Sequence, residues 1–351
     1  MSSTDPSAEP TVSVVLPVRR EGPGFAATLT RILQQDYPAI VDVLVVDGMS
    51  DDQTREVVRG LSARDARIRL LDNPGLIVPT AMNVGIRAAT GAIIVRVDGH
   101  TRIDPDYVGR CVAALGASLA SCAGGRMDPV GDTFIGRAVA AATSGPFGVG
   151  NSHFHYSDTP RFTDSVYLGA WPRETLLRAG GFDEEMVRDQ DDELNYRLRK
   201  LGGTVWLDPS IRSEYTPRGS LLKLWSQYRE YGLWKVRVFQ KHPAMMRWRH
   251  FVPAAFVMAA VAGLGLAVTV PWGRWLLAAG AALYLSAAAV AALATPTGVT
   301  ERLVMPIVFL TIHTAYGTGF LAGLVRFLPR WFEDPSRPER KPASGLEEKR
   351  P

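Results

Sequence analysis

The fold is decided by a short apolar stretch near the N-terminus, VSVVLPV at residues 12–18. Two similar runs follow at residues 43–46 and 92–97. Runs of this length and composition are typical of strands that are covered on both faces. Helical patterns lie between them, at residues 24–35, 52–61 and 79–89. The alternation predicts right-handed crossovers, and therefore an α/β domain with a mainly parallel sheet and helices on both faces.

An aspartate follows each of the second and third predicted strands, Asp47 and Asp98. Because ligands of parallel sheets bind beyond the carboxyl ends of the strands, both carboxylates are expected at the ligand-binding edge. An aspartate in this position can also simply cap the next helix or turn. The pattern alone leaves both interpretations open.

Composition divides the chain into two parts. The 351 residues suffice for one large domain and an appendage, and almost every long apolar run lies from Phe251 onward. The net charge of +4 suits contact with anionic lipid head groups and a diphosphate ligand, and it does not require nucleic acid as a partner. The two cysteines, Cys111 and Cys122, have no spacing typical of a disulfide framework or a zinc site. Residues 1–10 do not resemble a secretory signal and are expected to form a flexible tail.

The C-terminal part contains about three candidate transmembrane segments within residues 251–328. The uncharged run 251–272 would extend over about 33 Å as a helix, against a hydrocarbon core of about 30 Å. A second run occupies residues 275–294, and a third candidate occupies residues 303–328. His313 interrupts the third run, and we expect it to hydrogen-bond a neighbouring helix.

The regions that flank these segments bear on their orientation. Residues 216–250 mix aromatic and basic residues and are predicted to form an amphipathic interfacial region, with a surface helix of the soluble domain as the alternative. Basic residues just before the first segment place the N-terminal domain in the cytoplasm by the positive-inside tendency. The polar, charged tail at residues 329–351 is also basic and would prefer the same side, which conflicts with three complete crossings. The sequence leaves the side of this tail open.

An acidic cluster begins a predicted helix at Asp191. Leucines at helical spacing follow it, and Gly202 is placed to end the helix. Asp191 lies three residues before Leu194, in line with the buried stripe, so its side chain is expected to point into the domain. The alternative is that the acidic residues only stabilise the helix N-terminus, a contribution of about 0.3 to 1 kcal/mol.

Taken together, these segments resemble the family 2 glycosyltransferases with the GT-A fold, and within that family the ExoA-like group of succinoglycan biosynthesis. The resemblance extends over residues 12–234 and depends on the order and spacing of several motifs. These motifs are VVLPVRRE (14–21), VVDGMSDD (45–52), NVG (83–85), VDGH (97–100), LGAW (168–171) and DDELNYRL (191–198). The resemblance implies a GT-A catalytic domain at residues 11–215.

The resemblance also implies a nucleotide-sugar site with a divalent cation, Mn²⁺ or Mg²⁺. The implied donor-binding residues are Pro17, Glu21, Asp47, Asn83 and Asp98. Asp98 would lie beside the diphosphate and its cation. The family usually has two aspartates around one residue here, whereas this chain has Asp98-Gly99-His100. His100 is therefore expected to be the second metal ligand, which favours manganese, although a hydrogen bond to nearby backbone is the alternative.

Asp191 matches the general base of the family, and Trp171 and Asp192 correspond to the acceptor side. Core packing is the competing role for Trp171. Processive relatives carry a Gln-x-x-Arg-Trp signature, which QYREY at residues 227–231 does not match, so transfer of a single sugar is favoured.

The predicted function is that of an inverting hexosyltransferase at the cytoplasmic face of the plasma membrane. It would move one sugar from a UDP-sugar to a lipid-linked acceptor in exopolysaccharide or cell-envelope glycan synthesis. Two alternatives remain at this stage: a polyprenyl-phosphate sugar transferase, and a membrane scaffold that binds nucleotide without turnover.

Overall fold

A computed structural model of the protein describes residues 9–332. The strands of this region form one mixed sheet. They are β1 (Val12–Val18), β2 (Ile40–Asp47), β3 (Ile68–Asp72), β4 (Ile93–Arg96), β5 (Arg102–Ile103), β6 (Cys122–Pro129), β7 (Arg161–Phe162), β8 (Tyr167–Pro172) and β9 (Val205–Tyr215).

The α-helices fall into a catalytic-domain set and a C-terminal set. The first set is α1 (Phe25–Leu33), α2 (Thr54–Ser62), α3 (Val78–Ala88), α4 (Tyr107–Ser118), α5 (Phe134–Thr143), α6 (Pro146–Val149), α7 (Arg173–Arg178) and α8 (Gln190–Lys200). The second set is α9 (Leu221–Lys241), α10 (Val252–Thr269), α11 (Gly273–Ala294) and α12 (Val299–Arg326). Short 3₁₀ turns occur at His153–His155, Pro243–Met245, Trp248–Phe251 and Leu328–Phe332.

The strand order is β3-β2-β1-β4-β8-β6-β9-β5, and β7 pairs with β9 outside this path. The first four strands are parallel, with β1 between β2 and β4. Strand β8 is antiparallel to both of its neighbours, whereas β6 and β9 are parallel. The predicted α/β class and the three predicted parallel strands are confirmed. Strand β3 was not predicted, because its run IRLLD alternates apolar and charged residues only weakly.

Side chains of β1 alternate between two cores because successive residues of a strand point to opposite faces. Val14 and Leu16 belong to the core that α1 and α4 cover. Val15 belongs to the core on the α3 side. A Cβ atom on Gly85 would lie 2.4 Å from Val15 Cγ1, so glycine permits the close approach of α3 to the sheet. The central strand is thus buried on both faces, as its composition predicts.

Three C-terminal helices are long and apolar enough to cross a membrane, judged by length and composition: Trp248–Thr269, Gly273–Ala294 and Val299–Arg326. They coincide closely with the predicted segments, except that the third begins earlier. His313 in α12 lies 3.0 Å from the Tyr284 hydroxyl of α11 and 2.9 Å from the Phe147 carbonyl oxygen. The predicted hydrogen bond to a neighbouring helix is confirmed.

Helix α9, the first of the C-terminal set, contacts both the catalytic domain and α12. It packs closely on α12, where a Cβ on Gly232 would meet the Tyr316 carbonyl oxygen at 2.1 Å. Residues 216–250 therefore contain one long helix, and its position at a membrane surface stays a prediction, as do the domain boundaries. The predicted tails at 1–10 and 329–351 lie largely outside the described residues.

Candidate active site

The centre of the candidate active site is a buried arginine that bridges two carboxylates. Arg96 Nε donates to Asp98 Oδ1 at 2.7 Å, and Arg96 Nη1 donates to Asp191 Oδ1 at 2.6 Å. Arg96 and Asp98 lie two residues apart at the end of β4, so they point to the same side of the sheet. Asp191 comes from the first turn of α8, 95 residues away in sequence. The fold thus brings the two predicted aspartates together, and Arg96 joins them.

The environment of Asp191 suits a proton acceptor. Burial raises the pKa of its carboxyl to about 6, with Arg96 opposing the rise and the negative charge of Asp98 adding to it. The side chain is still 32% exposed, so a substrate hydroxyl can reach it. A carboxyl with this pKa is mostly ionised at neutral pH and holds a transferred proton more readily than an ordinary aspartate does.

Asp192, the next residue, belongs to a second ionic cluster. Lys235 Nζ lies 2.5 Å from Asp192 Oδ2 and 2.9 Å from Asp189 Oδ1. Lys235 is on α9, and its side chain is only 8% exposed. The pKa of Asp192 is lowered, because the attraction of Lys235 outweighs the effect of burial. Asp192 lines the same cleft as Asp191, but its carboxylate is held by Lys235, and its predicted contact with the acceptor stays a prediction.

The loop after β4 carries the residues predicted to bind a cation. His100 Nδ1 lies 3.7 Å from Glu21 Oε1, and the interaction with the Glu21 carboxylate raises the pKa of His100 against the effect of burial. The carboxylate of Asp98 and the imidazole of His100 both border the cleft. Within residues 9–332 no group of three or more His, Cys, Asp or Glu side chains is arranged to hold a metal ion.

These donors fit a cation that takes its remaining ligands from a diphosphate and water. Asp98 retains lone pairs besides those used by Arg96. His100 can ligate only in its neutral form, so the cation must compete with the proton that Glu21 favours. Asp98 is therefore the stronger of the two candidate ligands.

Asp47 is at the same edge of the sheet but does not join this cluster. Its side chain is fully buried. It accepts hydrogen bonds from the Ser50 backbone N–H at 2.9 Å and from Arg55 Nη1 at 2.7 Å. Its oxygens are thus satisfied by residues of the domain itself, and its predicted contact with the donor stays a prediction.

Three other predicted site residues have internal roles instead. Pro17 is buried within β1. The amide of Asn83 is used on both sides: its oxygen accepts from Phe182 N–H, and its nitrogen donates to the Phe182 carbonyl at 2.8 Å. Trp171 is 1% exposed and packs against the Phe182 ring at 6.0 Å between centroids. All three side chains lie in the interior, and the donor contacts predicted for Pro17 and Asn83 and the acceptor contact predicted for Trp171 stay predictions.

Asp98 and Asp191 open into a large cleft of about 1750 Å³ between the catalytic domain and the C-terminal helices. Its walls include Lys235 of α9, Phe256 of α10 and Tyr316 of α12. Such a volume exceeds that of a typical single-ligand site, so there is space for two substrates. The helices that are apolar enough to cross a membrane thus form one wall of the site.

An α/β domain with a cleft at the carboxyl ends of its parallel strands has the architecture of a GT-A glycosyltransferase. The model for "Glycosyl transferase family 2" matches residues 13–178. The succinoglycan biosynthesis protein ExoA of Rhizobium meliloti (strain 1021) is 30% identical over 280 residues, which cover 78% of this chain and 84% of ExoA. The chain belongs to glycosyltransferase family 2, and it is a glycosyltransferase.

Two further comparisons extend the similarity over the C-terminal helices. A dolichyl N-acetyl-α-D-glucosaminyl phosphate 3-β-D-2,3-diacetamido-2,3-dideoxy-β-D-glucuronosyltransferase of Methanococcus voltae is 23% identical over 327 residues, covering 90% of this chain and 97% of the relative. The mannosyltransferase PcManGT of Pyrobaculum calidifontis, solved with GDP-Man and Mn²⁺, superposes with a TM-score of 0.62 at 22% identity, covering 91% of this chain and 88% of that one. The superposition confirms the predicted GT-A fold.

Sequence reasoning missed Arg96 and Lys235, the two cations that organise the site. A signal for Arg96 was present, since one charged residue interrupts the apolar run IIVRV at residues 93–97. A charge in a strand that is buried on both faces requires a partner, and Asp98 is two residues away on the same face. No comparable signal marks Lys235, which is one of several basic residues in α9.

Proposed function

We propose that this enzyme transfers one sugar, with inversion, from a UDP-sugar to a lipid-linked acceptor at the cytoplasmic face of the membrane. The product would enter an exopolysaccharide or a cell-envelope glycan. The observation that carries the proposal is the position of Asp191, which Arg96 holds beside Asp98 in a cleft bordered by membrane-type helices.

In this proposal Asp191 accepts the proton of the acceptor hydroxyl. The hydroxyl oxygen attacks the anomeric carbon while the bond from that carbon to the diphosphate oxygen breaks. The electron pair of that bond leaves with the nucleoside diphosphate, so a single displacement inverts the anomeric configuration. A divalent cation, when bound, stabilises the negative charge of the departing diphosphate. Asp98 and neutral His100 are the residues that would hold it.

Arg96 has a positioning role in this scheme. Its guanidinium is planar and can bind two carboxylates at fixed angles. With its side chain only 5% exposed, it holds the Asp191 side chain in one orientation relative to Asp98. The base and the donor side of the site therefore keep a constant separation, which favours attack in line with the leaving group.

The lipid-linked nature of the acceptor is supported by two observations. The cleft continues to α10 and α12, so an acceptor held by a membrane lipid can enter it from the side of the helices. The Methanococcus voltae relative is named for an acceptor sugar carried on dolichyl phosphate. Basic residues before α10 favour a cytoplasmic catalytic domain.

The test is a transfer assay with membranes that contain the full-length protein. A panel of UDP-, GDP- and dTDP-sugars is supplied with manganese, and both nucleotide release and incorporation into the lipid fraction are measured. We expect incorporation from a UDP-sugar that chelation with EDTA abolishes. Incorporation from a GDP-sugar alone would overturn the donor assignment, and nucleotide release without a glycosylated lipid would overturn the acceptor assignment.

A further inference from the structure

A second polar region of the cleft contains three arginines that share one carboxylate. Arg199 Nη1 lies 3.0 Å from Asp164 Oδ1, Arg247 Nη2 lies 3.1 Å from Asp164 Oδ2, and Arg249 Nη2 lies 3.5 Å from the same oxygen. Three positive charges against one negative charge leave this cluster with an excess of two. Within residues 9–332, no other carboxylate lies within 4 Å of a nitrogen of these arginines.

The cluster has unused capacity to bind an anion. All four side chains line the cleft. Arg199 Nε is buried and lacks a hydrogen-bond partner within the described part of the chain. His153 stands nearby, and burial together with the charges of Arg161 and Arg249 lowers its pKa, as expected in positive surroundings. A guanidinium group can donate two parallel hydrogen bonds to two oxygens of one phosphate group.

The three arginines come from two elements with different functions. Arg199 is in the last turn of α8, the helix whose first turn carries Asp191. Arg247 immediately precedes Trp248–Thr269, the first segment that is long and apolar enough to cross a membrane, and Arg249 lies in its first turn. A group bound here would therefore lie where the chain enters the first of these helices, in the same cleft as Asp191.

The separation between this cluster and the base restricts the ligand. Asp191 and Arg199 are eight residues apart on one helix, which corresponds to about 12 Å along its axis. With the two backbones this far apart, an acceptor whose sugar lies between the bound phosphate and Asp191 fits better than a bare lipid phosphate. The excess of two positive charges in the cluster matches the two negative charges of a diphosphate that joins a lipid to a sugar.

We propose that Arg199, Arg247 and Arg249 bind the diphosphate of a polyprenyl-diphosphate-linked sugar and so align its hydroxyl with Asp191. This inference rests on the proposed lipid-linked acceptor and adds the chemical class of the anchor. It also argues against polyprenyl phosphate itself as the acceptor. Asp164 holds the three guanidinium groups together when no anion is bound. When the diphosphate binds, its oxygens replace some of the contacts between Asp164 and the arginines.

Binding to the purified full-length protein in detergent, without nucleotide sugar, tests the proposal. The probe is geranylgeranyl diphosphate, measured by isothermal titration calorimetry. We expect the double variant R247Q/R249Q to bind the probe at least tenfold more weakly than the wild type. The matched control is R274Q, which removes an exposed arginine from the start of α11, and it should bind like the wild type.

The variant D164N separates an anion site from a set of structural ion pairs. If the arginines serve a bound diphosphate, D164N adds net positive charge and should bind the probe at least as tightly as the wild type. If D164N weakens binding as much as R247Q/R249Q, the cluster is structural and the proposal is overturned. Equal binding of the probe by R247Q/R249Q and the wild type would overturn it as well.

Two other probes distinguish the source of the phosphate. Inorganic diphosphate that binds as tightly as geranylgeranyl diphosphate would assign the cluster to a soluble anion. Nanodiscs of phosphatidylglycerol that bind as tightly, with the same loss in R247Q/R249Q, would assign it to the general lipid surface. Either result would overturn the proposal. If the probe binds as expected but the transfer assay fails, only the proposed reaction is overturned and this site is retained.

Discussion

Asp191 and Asp192 are adjacent on α8, yet they belong to two ionic clusters that differ in what they connect. Arg96 joins Asp191 to Asp98 within the catalytic domain, whereas Lys235 joins Asp192 to α9, the helix that packs on α12. Both carboxylates are about one third exposed, at 32% and 33%. Their pKa values nevertheless shift in opposite directions, upward for Asp191 and downward for Asp192. Exposure alone therefore does not distinguish the two carboxylates, but the partner cation and the neighbouring charges do.

The sharpest test of this difference is the pair D191N and D192N. Replacing Asp191 removes the proton acceptor and should lower kcat by about 10² to 10⁴. Replacing Asp192 leaves the base in place and should lower kcat by less than about tenfold, since it only weakens one contact of Lys235. Steady-state transfer rates of the two variants in matched membranes check this.

Nucleotide affinity provides the control, because Asp191 is not a donor contact in the proposed scheme. Titration with UDP should give the same Kd for D191N as for the wild type. If D192N lost as much activity as D191N, the two clusters would share one role and the comparison would fail.

The second test removes Arg96. In R96Q both Asp98 and Asp191 lose their bridging cation, and we expect kcat to fall by about tenfold to a hundredfold because the base is no longer held in line. R96K is the matched variant, since it keeps the charge but cannot bind two carboxylates with one planar group. It should recover only part of the lost rate.

A pH profile shows whether Arg96 acts through Asp191. Arg96 holds the pKa of Asp191 below the value that burial alone would give. Its removal should therefore move the acidic limb of the kcat profile to higher pH. A rate loss with an unmoved limb would indicate that Arg96 only supports the fold.

Asp98 and Asp191 could be predicted as site residues from the sequence, but the residues that surround them could not. Asp98 and Asp191 were identified because strand ends and helix starts are local patterns. The bridge between them joins residues 95 positions apart, and no local pattern reports such a contact. The same reason explains the omission of Lys235.

The burial of two other predicted site residues shows a different limit of sequence patterns. Trp171 and Asn83 match motif positions, but burial is a property of the whole fold, and the structure places both side chains against Phe182 in the interior. Pattern and spacing thus predicted the elements well and the outward or inward direction of individual side chains less well.

The third test uses pH on the wild-type enzyme. The folded-state pKa of Asp191 is raised to about 6, so the carboxylate that acts as the base in the proposed scheme is lost as the pH falls through that value. At pH 5 we expect kcat to be about tenfold below its plateau, with a decline of about one decade per pH unit. Asp192, whose pKa is lowered, should contribute nothing to this limb. If the acidic limb of the kcat profile persists in D192N but is absent from the residual activity of D191N, the limb reports the titration of Asp191.

The smallest effect on rate is expected from the second cluster. K235M leaves Asp189 and Asp192 without their cation, and Asp189 is only 10% exposed. Loss of one partner from a buried ion pair costs on the order of 3 kcal/mol, and partial exposure of Asp192 reduces that figure. We therefore expect a clear decrease in the melting temperature of the purified protein and a loss in kcat of only a few-fold at low temperature.

The triple variant K235M/D189N/D192N shows whether the instability of K235M comes from its two unpaired carboxylates. It removes the unpaired charges along with the cation, so it should recover much of the stability lost in K235M while the transfer rate stays within a few-fold of the wild type. A K235M protein with an unchanged melting temperature and a rate as low as that of D191N would mean that the α9 cluster takes part in the chemistry. In that case the contact between the catalytic domain and the membrane-type helices would be part of the reaction site rather than its support.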